Sequence, residues 1–209
     1  MYVPTHFEET RADVLHALVR AHPLAALVTH TPDGLVANHI PFEIDADPAP
    51  FGTLRGHMAR ANPQWRTLGD SPALAIFQGP SAYVSPTWYA TKRDTGRVVP
   101  TWNYAVVHAH GPVRVIHDRD WLREFVTRLT IRHEAGRHDP WQVSDAPADY
   151  IDTQLAAIVG IEMPIARLEG KWKVSQNRPA VDRAGVAEGL LQEGGDSAVA
   201  ELVRQAGGG

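Results

Sequence analysis

One stretch, residues 82–117, constrains the fold more than any other part of the chain. It holds two similar polar-aromatic blocks, Ser-Pro-Thr-Trp-Tyr at 85–89 and Pro-Thr-Trp-Asn-Tyr at 100–104, on either side of a charged turn. The blocks predict two antiparallel strands joined by an exposed loop. Because Trp and Tyr bury a large ring and still need a partner for one polar atom, two such clusters indicate a lined cleft. A β-rich run follows, and its Gly111-Pro112 pair indicates a bulge or a bend at a barrel corner.

The rest of the chain predicts a mainly antiparallel fold. Apolar and alternating runs predict further strands at 24–31, 35–45, 51–58, 73–78, 159–168 and 171–174. Periodic apolar positions predict helices at 11–21, 118–133 and 150–158. A count of about seven or eight strands, mostly in hairpin order, predicts an antiparallel barrel with peripheral helices. We expect one domain over 1–209, with a short helical extension from about residue 183.

Composition excludes several classes of site. The chain has no Cys, which excludes disulfides, thiolate metal sites and cysteine nucleophiles. It has no long apolar run, and its N-terminus lacks a basic segment followed by an apolar one, so we expect no membrane span and a cytoplasmic location. The formal net charge of −4 argues against direct nucleic-acid binding, because neutralising phosphates needs a basic surface.

The common catalytic and nucleotide-binding motifs are missing. There is no P-loop, no G-x-G-x-x-G after a strand and no G-x-S-x-G elbow, so no catalytic residue is assigned. Among eleven histidines, His108 and His110 share one face of a predicted strand. No pair of histidines at metal-binding spacing accompanies a carboxylate on a helix, so we expect no metal site.

The segment 56–65, Gly-His-Met-Ala-Arg-Ala-Asn-Pro-Gln-Trp, predicts a strand that ends in a turn and a short helix. Asn62 can cap this helix, with Pro63 at its first position. Free N–H groups at the start of the helix, together with Arg60, suit a pocket for an anion. An ordinary strand–turn–helix link with a solvated Arg explains the same residues, and the sequence leaves both interpretations open.

Several blocks taken together resemble the PaiB-type proteins, which are described as FMN-binding negative transcriptional regulators. The resemblance covers essentially the whole chain and implies a split β-barrel like that of pyridoxamine-phosphate oxidases and flavin reductases. It also implies a homodimer with FMN in clefts between the subunits. The aromatic strands from Tyr83 to Tyr104 favour a dimer too, because a monomer would leave them partly exposed. The blocks that carry the resemblance are 1–7, 56–65, 83–89, 99–104 and 173–178.

The resemblance also implies which residues bind FMN. For the phosphate they are His57, Arg60 and Asn62, with Arg60 as the principal cation and Lys173 and Arg178 as its rivals. For the isoalloxazine they are Ser85, Trp88, Tyr89, Thr101, Asn103 and Tyr104, although core packing is an alternative role for the Trp side chains. The residues that could close the pocket, from the same or the partner subunit, are Lys173, Ser175, Gln176, Asn177 and Arg178. The chain departs from the family in a longer loop at 92–97 and in Thr87, where we expect a serine.

Three functions remain open at this point. The first is a non-enzymatic flavin-binding regulator, and the second is a flavin-dependent oxidoreductase such as a flavin reductase or a pyridoxamine-phosphate-oxidase-like enzyme. A more distant third is a haem-binding split barrel that uses His57 or His108. A repressor should display a recognition helix with basic flanks, and only the predicted helix 118–133 has a basic face. Pairing of its arginines with nearby carboxylates explains that face adequately.

Overall fold

A computed structural model of the protein describes residues 1–69, 72–193 and 195–206. The chain divides into two units, each described by itself. The terminal unit comprises Met1–Leu18, Gln78–His108 and Glu169–Gly209, and the central unit comprises Val19–Phe77 and Ala109–Leu168. No helix in the described part of the chain is both long and apolar enough to cross a membrane.

The described residues form ten strands and six α-helices. The strands are β1 Glu8–Glu9, β2 Leu24–Thr31, β3 Gly34–Pro41, β4 Glu43–Asp45, β5 Thr53–Ala59, β6 Pro72–Val84, β7 Thr101–Pro112, β8 Arg114–Ile116, β9 Ile158–Pro164 and β10 Arg167–Lys173. The helices are α1 Ala12–Ala21, α2 Lys92–Thr95, α3 Arg119–Glu134, α4 Ala148–Ala156, α5 Ala180–Gln192 and α6 Ser197–Gln205. Short 3₁₀ helices occupy Thr5–Phe7, Pro63–Thr67, Pro86–Trp88 and Val143–Asp145.

In the terminal unit, β1, β10, β7 and β6 are neighbours in that order in one sheet. The helices α5 and α6 pack on each other, and their apolar positions form a core with the end of β6. The segment expected to be a short helical extension from about residue 183 thus holds two helices, the first of which begins at Ala180, and both contribute to a core. Its fully buried members include Val84, Val186, Leu190, Val199 and Val203.

In the central unit, β2 pairs antiparallel with β3 and with the first part of β6. A second sheet has the order β4, β5, β9, β8. The helix α3 begins as predicted, because the Asp118 side chain accepts a hydrogen bond of 2.7 Å from the Trp121 N–H. A small core of Leu122, Ile151 and Leu155 joins α3 to α4.

The prediction of a strand at 85–89 is wrong. These residues form the 3₁₀ helix Pro86–Trp88, with Ser85 as its N-cap and Pro86 at the first position. The Ser85 hydroxyl accepts a hydrogen bond of 3.2 Å from the Thr87 N–H. Ser followed by Pro is a typical helix start. The Ser hydroxyl accepts a hydrogen bond from a backbone N–H that has no partner within the helix, and Pro has no backbone N–H that needs one. The predicted loop after this block holds the short helix α2.

Two further strands also differ from the predictions. The predicted strand 35–45 is two strands, and β3 and β4 belong to different sheets. The strand predicted to end at Gln78 continues to Val84, since Ala82 and Val84 keep the alternation and are buried in a core.

The break predicted between the strands 159–168 and 171–174, at Glu169-Gly170, is also wrong, because both residues lie inside β10. Gly170 faces Glu9 of β1. A Cβ on Gly170 would lie 2.2 Å from Leu15 Cδ2, so glycine permits close packing here and does not form a turn. The predicted corner at Gly111-Pro112 is confirmed, since β7 ends there and β8 belongs to the other sheet.

Candidate functional site

A small cavity of about 110 Å³ lies in the terminal unit, where β7 and β10 lead into the bend before α5. Seven of the fourteen residues predicted to bind the cofactor line it. They come from the end of the first aromatic block, the start of the second, and the segment around the end of β10. They are Tyr89, Thr101, Asn103, Lys173, Ser175, Asn177 and Arg178.

Asn103 reaches this cavity from the buried face of β7. The side chains of a strand alternate, so Thr101 and Asn103 share one face and Trp102 projects from the other. Asn103 is 1% exposed, and its Nδ2 donates a hydrogen bond of 2.8 Å to Ser175 Oγ. Its Oδ1 is buried and has no hydrogen-bond partner among the described residues. Native proteins pair nearly all such atoms, so this oxygen is available to accept a hydrogen bond from a further donor.

Ser175, which accepts the hydrogen bond from the Asn103 amide, has an unusual backbone conformation. Its φ is +66°, and it is the one non-glycine residue with positive φ that the structure describes. This left-handed region is costly for residues with a Cβ and is concentrated at functional sites. Ser175 is also buried, at 4% exposure.

Tyr89 places a second unpaired polar atom at the cavity. Its side chain is 2% exposed, and its hydroxyl proton has no acceptor among the described residues. The Arg178 guanidinium carbon lies 4.8 Å from the centroid of the Tyr89 ring, a cation–π distance. Burial raises the pKa of Tyr89, and the nearby Arg178 charge opposes part of that rise. The phenol is therefore neutral near pH 7 and retains its proton as a donor.

Two cations complete the cavity. Lys173 Nζ donates hydrogen bonds to Thr101 Oγ1 and to the Trp102 carbonyl. Burial lowers the pKa of Lys173, and the charges of Lys171 and Arg178 lower it further. No carboxylate lines the cavity, and among the described residues neither Lys173 nor Arg178 forms an ion pair. The lining therefore carries two cations, and the charge of the buried Asp182 also acts on Tyr89.

Trp88 has a packing role in the terminal unit. Its Nε1 donates a hydrogen bond of 2.9 Å to Glu193 Oε1 beyond the end of α5. Its ring lies so close to α5 that a Cβ on Gly189 would sit 2.5 Å from ring atoms. Core packing was an alternative role for the Trp side chains. Trp88 has that role, because its ring packs against the core of the terminal unit.

Three further predicted residues of the terminal unit lie outside the cavity lining. Ser85 caps the 3₁₀ helix after β6. Gln176 hydrogen-bonds to its own segment, since its Oε1 accepts from the Val174 N–H at 2.8 Å. Tyr104 lies on the face of β7 opposite Asn103, with Lys171 Nζ 5.5 Å from its ring centroid.

The remaining predicted residues lie in the central unit. Arg60 is engaged there, because its Nε donates to the Ala156 carbonyl and its Nη2 to the Ile158 carbonyl, both at 2.9 Å. Its Nη1 lies 3.3 Å from His117 Nδ1. The predicted cap is confirmed, since Asn62 Oδ1 accepts from the Gln64 N–H at 3.0 Å. The helix that follows is a five-residue 3₁₀ helix. A phosphate contact from Arg60 stays a prediction.

His57 also belongs to the central unit. Its ring packs edge-on against Phe125, with 5.8 Å between centroids. Its Nδ1 is buried without a partner among the described residues. Burial lowers the pKa of His57, since it disfavours the charged imidazolium.

Sequence reasoning missed three apolar residues of the cavity wall, Phe7, Val99 and Pro100. Phe7 is the last residue of the block 1–7, and Val99 and Pro100 are the first residues of the block 99–104. Both blocks carry the family resemblance, but apolar residues in them gave no reason to expect a role in binding. Reasoning also missed Asp182, a carboxylate 1% exposed that accepts from the Thr91 N–H and hydroxyl at 3.0 and 2.7 Å. The sequence places Asp182 in the first turn of a helix, and that position does not predict hydrogen bonds to Thr91.

Comparisons with known proteins decide the family. Residues 1–167 match the family model described as "Putative FMN-binding domain". The chain is 32% identical to the protease synthase and sporulation protein PAI 2 of Bacillus subtilis, covering 97% of this chain and 96% of that protein. It belongs to the PaiB-type FMN-binding family. An uncharacterised Emericella nidulans protein is 36% identical over 99% of this chain and 98% of its own. Membership of this family confirms FMN as the cofactor expected from the sequence.

Solved structures confirm the predicted fold of this PaiB-type chain. The FAD and heme binding protein from Mycobacterium smegmatis superposes with a TM-score of 0.60 at 21% identity, covering 79% of this chain and 73% of that one. The flavocytochrome Anf3 from Azotobacter vinelandii also gives a TM-score of 0.60, at 15% identity over 82% and 72% of the two chains. The shared fold is the α+β class expected from the sequence, an antiparallel split β-barrel with helices.

Proposed function

We propose that this chain is a homodimeric PaiB-type flavoprotein that binds FMN at the terminal-unit cavity and acts in the cytoplasm as a regulator. The unpaired, buried polar atoms of Tyr89 and Asn103 carry this proposal. Burying a polar group without a hydrogen bond costs about 1–3 kcal/mol on the scale of protein mutations. A polar ligand that accepts from the Tyr89 hydroxyl and donates to the Asn103 amide oxygen would remove that cost.

The residues of the cavity fit the chemistry of FMN. FMN joins a phosphate monoester to a flat ring system through a chain of hydroxyl groups, so it needs cations, hydrogen-bonding side chains and apolar walls. Lys173 and Arg178 supply charge, while Tyr89 and Asn103 supply hydrogen-bonding groups. Bound FMN would provide one- and two-electron redox chemistry.

The size of the cavity supports a second copy of the chain as part of the site. Pockets that hold a whole organic ligand measure roughly 300–1,000 Å³, well above the 110 Å³ found here. A further wall for the flavin must therefore come from outside this cavity. Tyr83, Val99 and Trp102, also in the terminal unit, are 48%, 64% and 56% exposed. The rings of Tyr83 and Trp102 are in edge contact, with 6.3 Å between centroids, and exposed aromatic pairs are typical of protein interfaces.

The test is an absorbance spectrum of the purified protein after incubation with FMN and removal of free ligand, together with its mass by light scattering. We expect flavin absorption bands with about one FMN per chain and the mass of a dimer. Protein that retains no flavin would contradict the proposed cofactor site, and a monomeric mass at micromolar concentration would contradict the dimer.

An oxidoreductase and a haem protein remain alternatives with distinct signatures. A haem role rests on the buried, unpaired Nδ1 of His57, and an intense haem band after reconstitution with haemin would support it. An oxidoreductase would consume NAD(P)H in the presence of bound FMN and a small-molecule acceptor. We expect neither signal from a regulator, so either one would replace the proposed role.

A further inference from the structure

We propose that the central unit carries a second ligand site, which binds a small organic acid with an apolar body. The site is a cavity of about 390 Å³ lined by residues of β4, β5 and the second half of α3. None of its lining residues was expected to bind the cofactor, so this inference goes beyond the proposed function and does not depend on it.

Glu43 is the buried charged residue of this cavity. It is 6% exposed, and its Oε2 accepts a hydrogen bond of 2.7 Å from Arg128 Nε. Arg132, one turn further along α3, has its Nη1 3.9 Å from Oε1 of the same carboxylate. A buried carboxylate needs a cation beside it, and the hydrogen bond from Arg128 meets that need. The guanidinium of Arg132 is therefore available to a second anion.

The two guanidinium groups retain most of their hydrogen-bonding capacity. A guanidinium has five N–H donors in a planar fork that matches the geometry of a carboxylate. Arg128 uses its Nε, and Arg132 donates no hydrogen bond to any described residue. Their side chains are 44% and 35% exposed, so a ligand can reach the remaining donors from solvent. Residues four apart lie on the same face of a helix, which brings both groups to one cavity.

The charges around the cavity favour a ligand with one negative charge. Arg55, which also lines it, is shared between two acids, because its Nη1 donates to Asp45 at 2.7 Å and its Nε to Glu162 at 3.0 Å. Arg114 lies 4.0 Å from Glu162, so these two arginines balance these two carboxylates. Glu43 balances only one of the two α3 arginines. One positive charge is left, and the lining carboxylates disfavour a dianion or a nucleic acid.

Two isoleucines supply the apolar part of the lining. Ile131 is 61% exposed and precedes Arg132 on α3, and Ile44 follows Glu43 on β4. Pockets for organic ligands combine apolar walls with a few charged groups and measure roughly 300–1,000 Å³. The cavity fits that description, so its ligand needs an apolar body as well as a carboxylate.

The test compares benzoate with benzamide, a neutral molecule of nearly the same shape. Binding of each is measured by isothermal titration calorimetry at one salt concentration, with FMN in excess so that the cofactor does not compete. Arg132→Gln removes the guanidinium that donates no hydrogen bond to a described residue, and Glu43→Gln removes the opposing charge and keeps the shape. Arg119→Gln is the matched control, since it removes a like charge from α3 that pairs with Asp152 outside the cavity lining.

We expect the parent protein to bind benzoate more tightly than benzamide. Arg132→Gln should weaken benzoate about three- to tenfold, the effect of one partly exposed charged contact. Glu43→Gln should strengthen benzoate by a similar factor, because it removes a repelling charge, and Arg119→Gln should change it little. The comparison of the two ligands on the parent protein stays decisive if a variant fails to fold.

Four results would overturn this assignment. They are no binding of benzoate at millimolar concentration, equal binding of benzoate and benzamide, equal weakening by Arg119→Gln and Arg132→Gln, and displacement of benzoate by a lower concentration of inorganic phosphate. The last would show an anion site that does not require an apolar body. None of the four concerns flavin binding, so the proposed function and this site fail separately.

Discussion

Ser175 combines a strained backbone with a hydrogen bond to Asn103, so two substitutions can separate these effects. Ser175→Ala removes the hydroxyl and keeps the cost of a Cβ at positive φ. Ser175→Gly removes the hydroxyl and also that cost, which is about 1–2 kcal/mol. We expect both variants to be less stable than the parent, with Ser175→Gly retaining about 1 kcal/mol more than Ser175→Ala. Urea denaturation measures the difference, and equal stabilities would show that the backbone at 175 is unstrained.

His57 predicts a pH dependence of stability. Its pKa in the folded protein lies below the usual value of 6.5 because burial disfavours the imidazolium. As pH falls below 6.5, the unfolded chain takes up this proton first, so the free energy of unfolding decreases until the folded pKa is passed. The contribution of His57 is fully present above pH 6.5.

The matched variant for this prediction is His57→Phe, which keeps an aromatic ring beside Phe125 and cannot titrate. Denaturant titrations of the apoprotein at pH 7.5 and pH 5.5 (values about one unit either side of the usual pKa) should show a smaller loss in the variant than in the parent. Identical losses would mean that the buried imidazole does not resist protonation.

At the scale of elements, the contact between α5 and Trp88 reverses the usual effect of a helical glycine. In an exposed helix Gly→Ala stabilises by about 1 kcal/mol. A Cβ at Gly189 would meet the Trp88 ring at 2.5 Å, so Gly189→Ala should destabilise by about 1–3 kcal/mol through overpacking.

A double-mutant cycle with Trp88→Leu tests this explanation. The cost of Gly189→Ala should shrink or change sign once the large ring is gone, since coupling of this kind is expected only between residues in contact. Thermal or urea denaturation of the four proteins supplies the numbers. An unchanged cost in the Trp88→Leu background would assign the effect to another neighbour.

The elements also show what the sequence could and could not predict. The capped helix α3 and the corner at Gly111-Pro112 follow local rules, and these predictions are confirmed. The hairpin predicted over 24–45 forms over 24–41. The block 85–89 was predicted as a strand because it resembles the block 100–104. A Ser-Pro helix start decided its structure, and this local signal competes with the aromatic pattern. The division of 35–45 between two sheets depends on tertiary pairing that no local pattern specifies.

The candidate site also has residues that could be predicted from the sequence and contacts that could not. The family resemblance implied the polar and charged members of the cavity, and half of the ligands expected from it line the cavity. Spacing could not show that Trp88 faces α5 or that backbone carbonyls bind the Arg60 guanidinium. Such contacts join residues far apart in the chain, so they depend on the packed fold.

At the scale of the whole molecule, the one basic helix face predicted from the sequence is paired with carboxylates of the central unit. Arg119 and Arg123 contact Asp152, and Arg128 and Arg132 contact Glu43. These partners lie outside α3, whereas the sequence suggested carboxylates within the helix. The Arg119 guanidinium lowers the pKa of Asp152, so this pairing persists at neutral pH.

We therefore expect no sequence-specific DNA binding by this chain at about physiological salt, where specific complexes have nanomolar affinity. Fluorescence anisotropy with duplex DNA checks this. Asp152→Asn frees two guanidinium groups and should add only weak, salt-sensitive binding. A footprint in the nanomolar range for the parent protein would refute the expectation and favour a repressor that contacts DNA itself.

The bend at 175–178 ends two residues before α5, so residues that line the cavity lead straight into the C-terminal helix pair. Filling the cavity and folding that pair are therefore linked equilibria: a ligand that binds the ordered bend also stabilises α5 and α6 by mass action. Amide hydrogens of these helices should then exchange more slowly when the cavity is filled. The C-terminal helices would thus report cofactor occupancy at the surface of the protein, where another molecule can sense it.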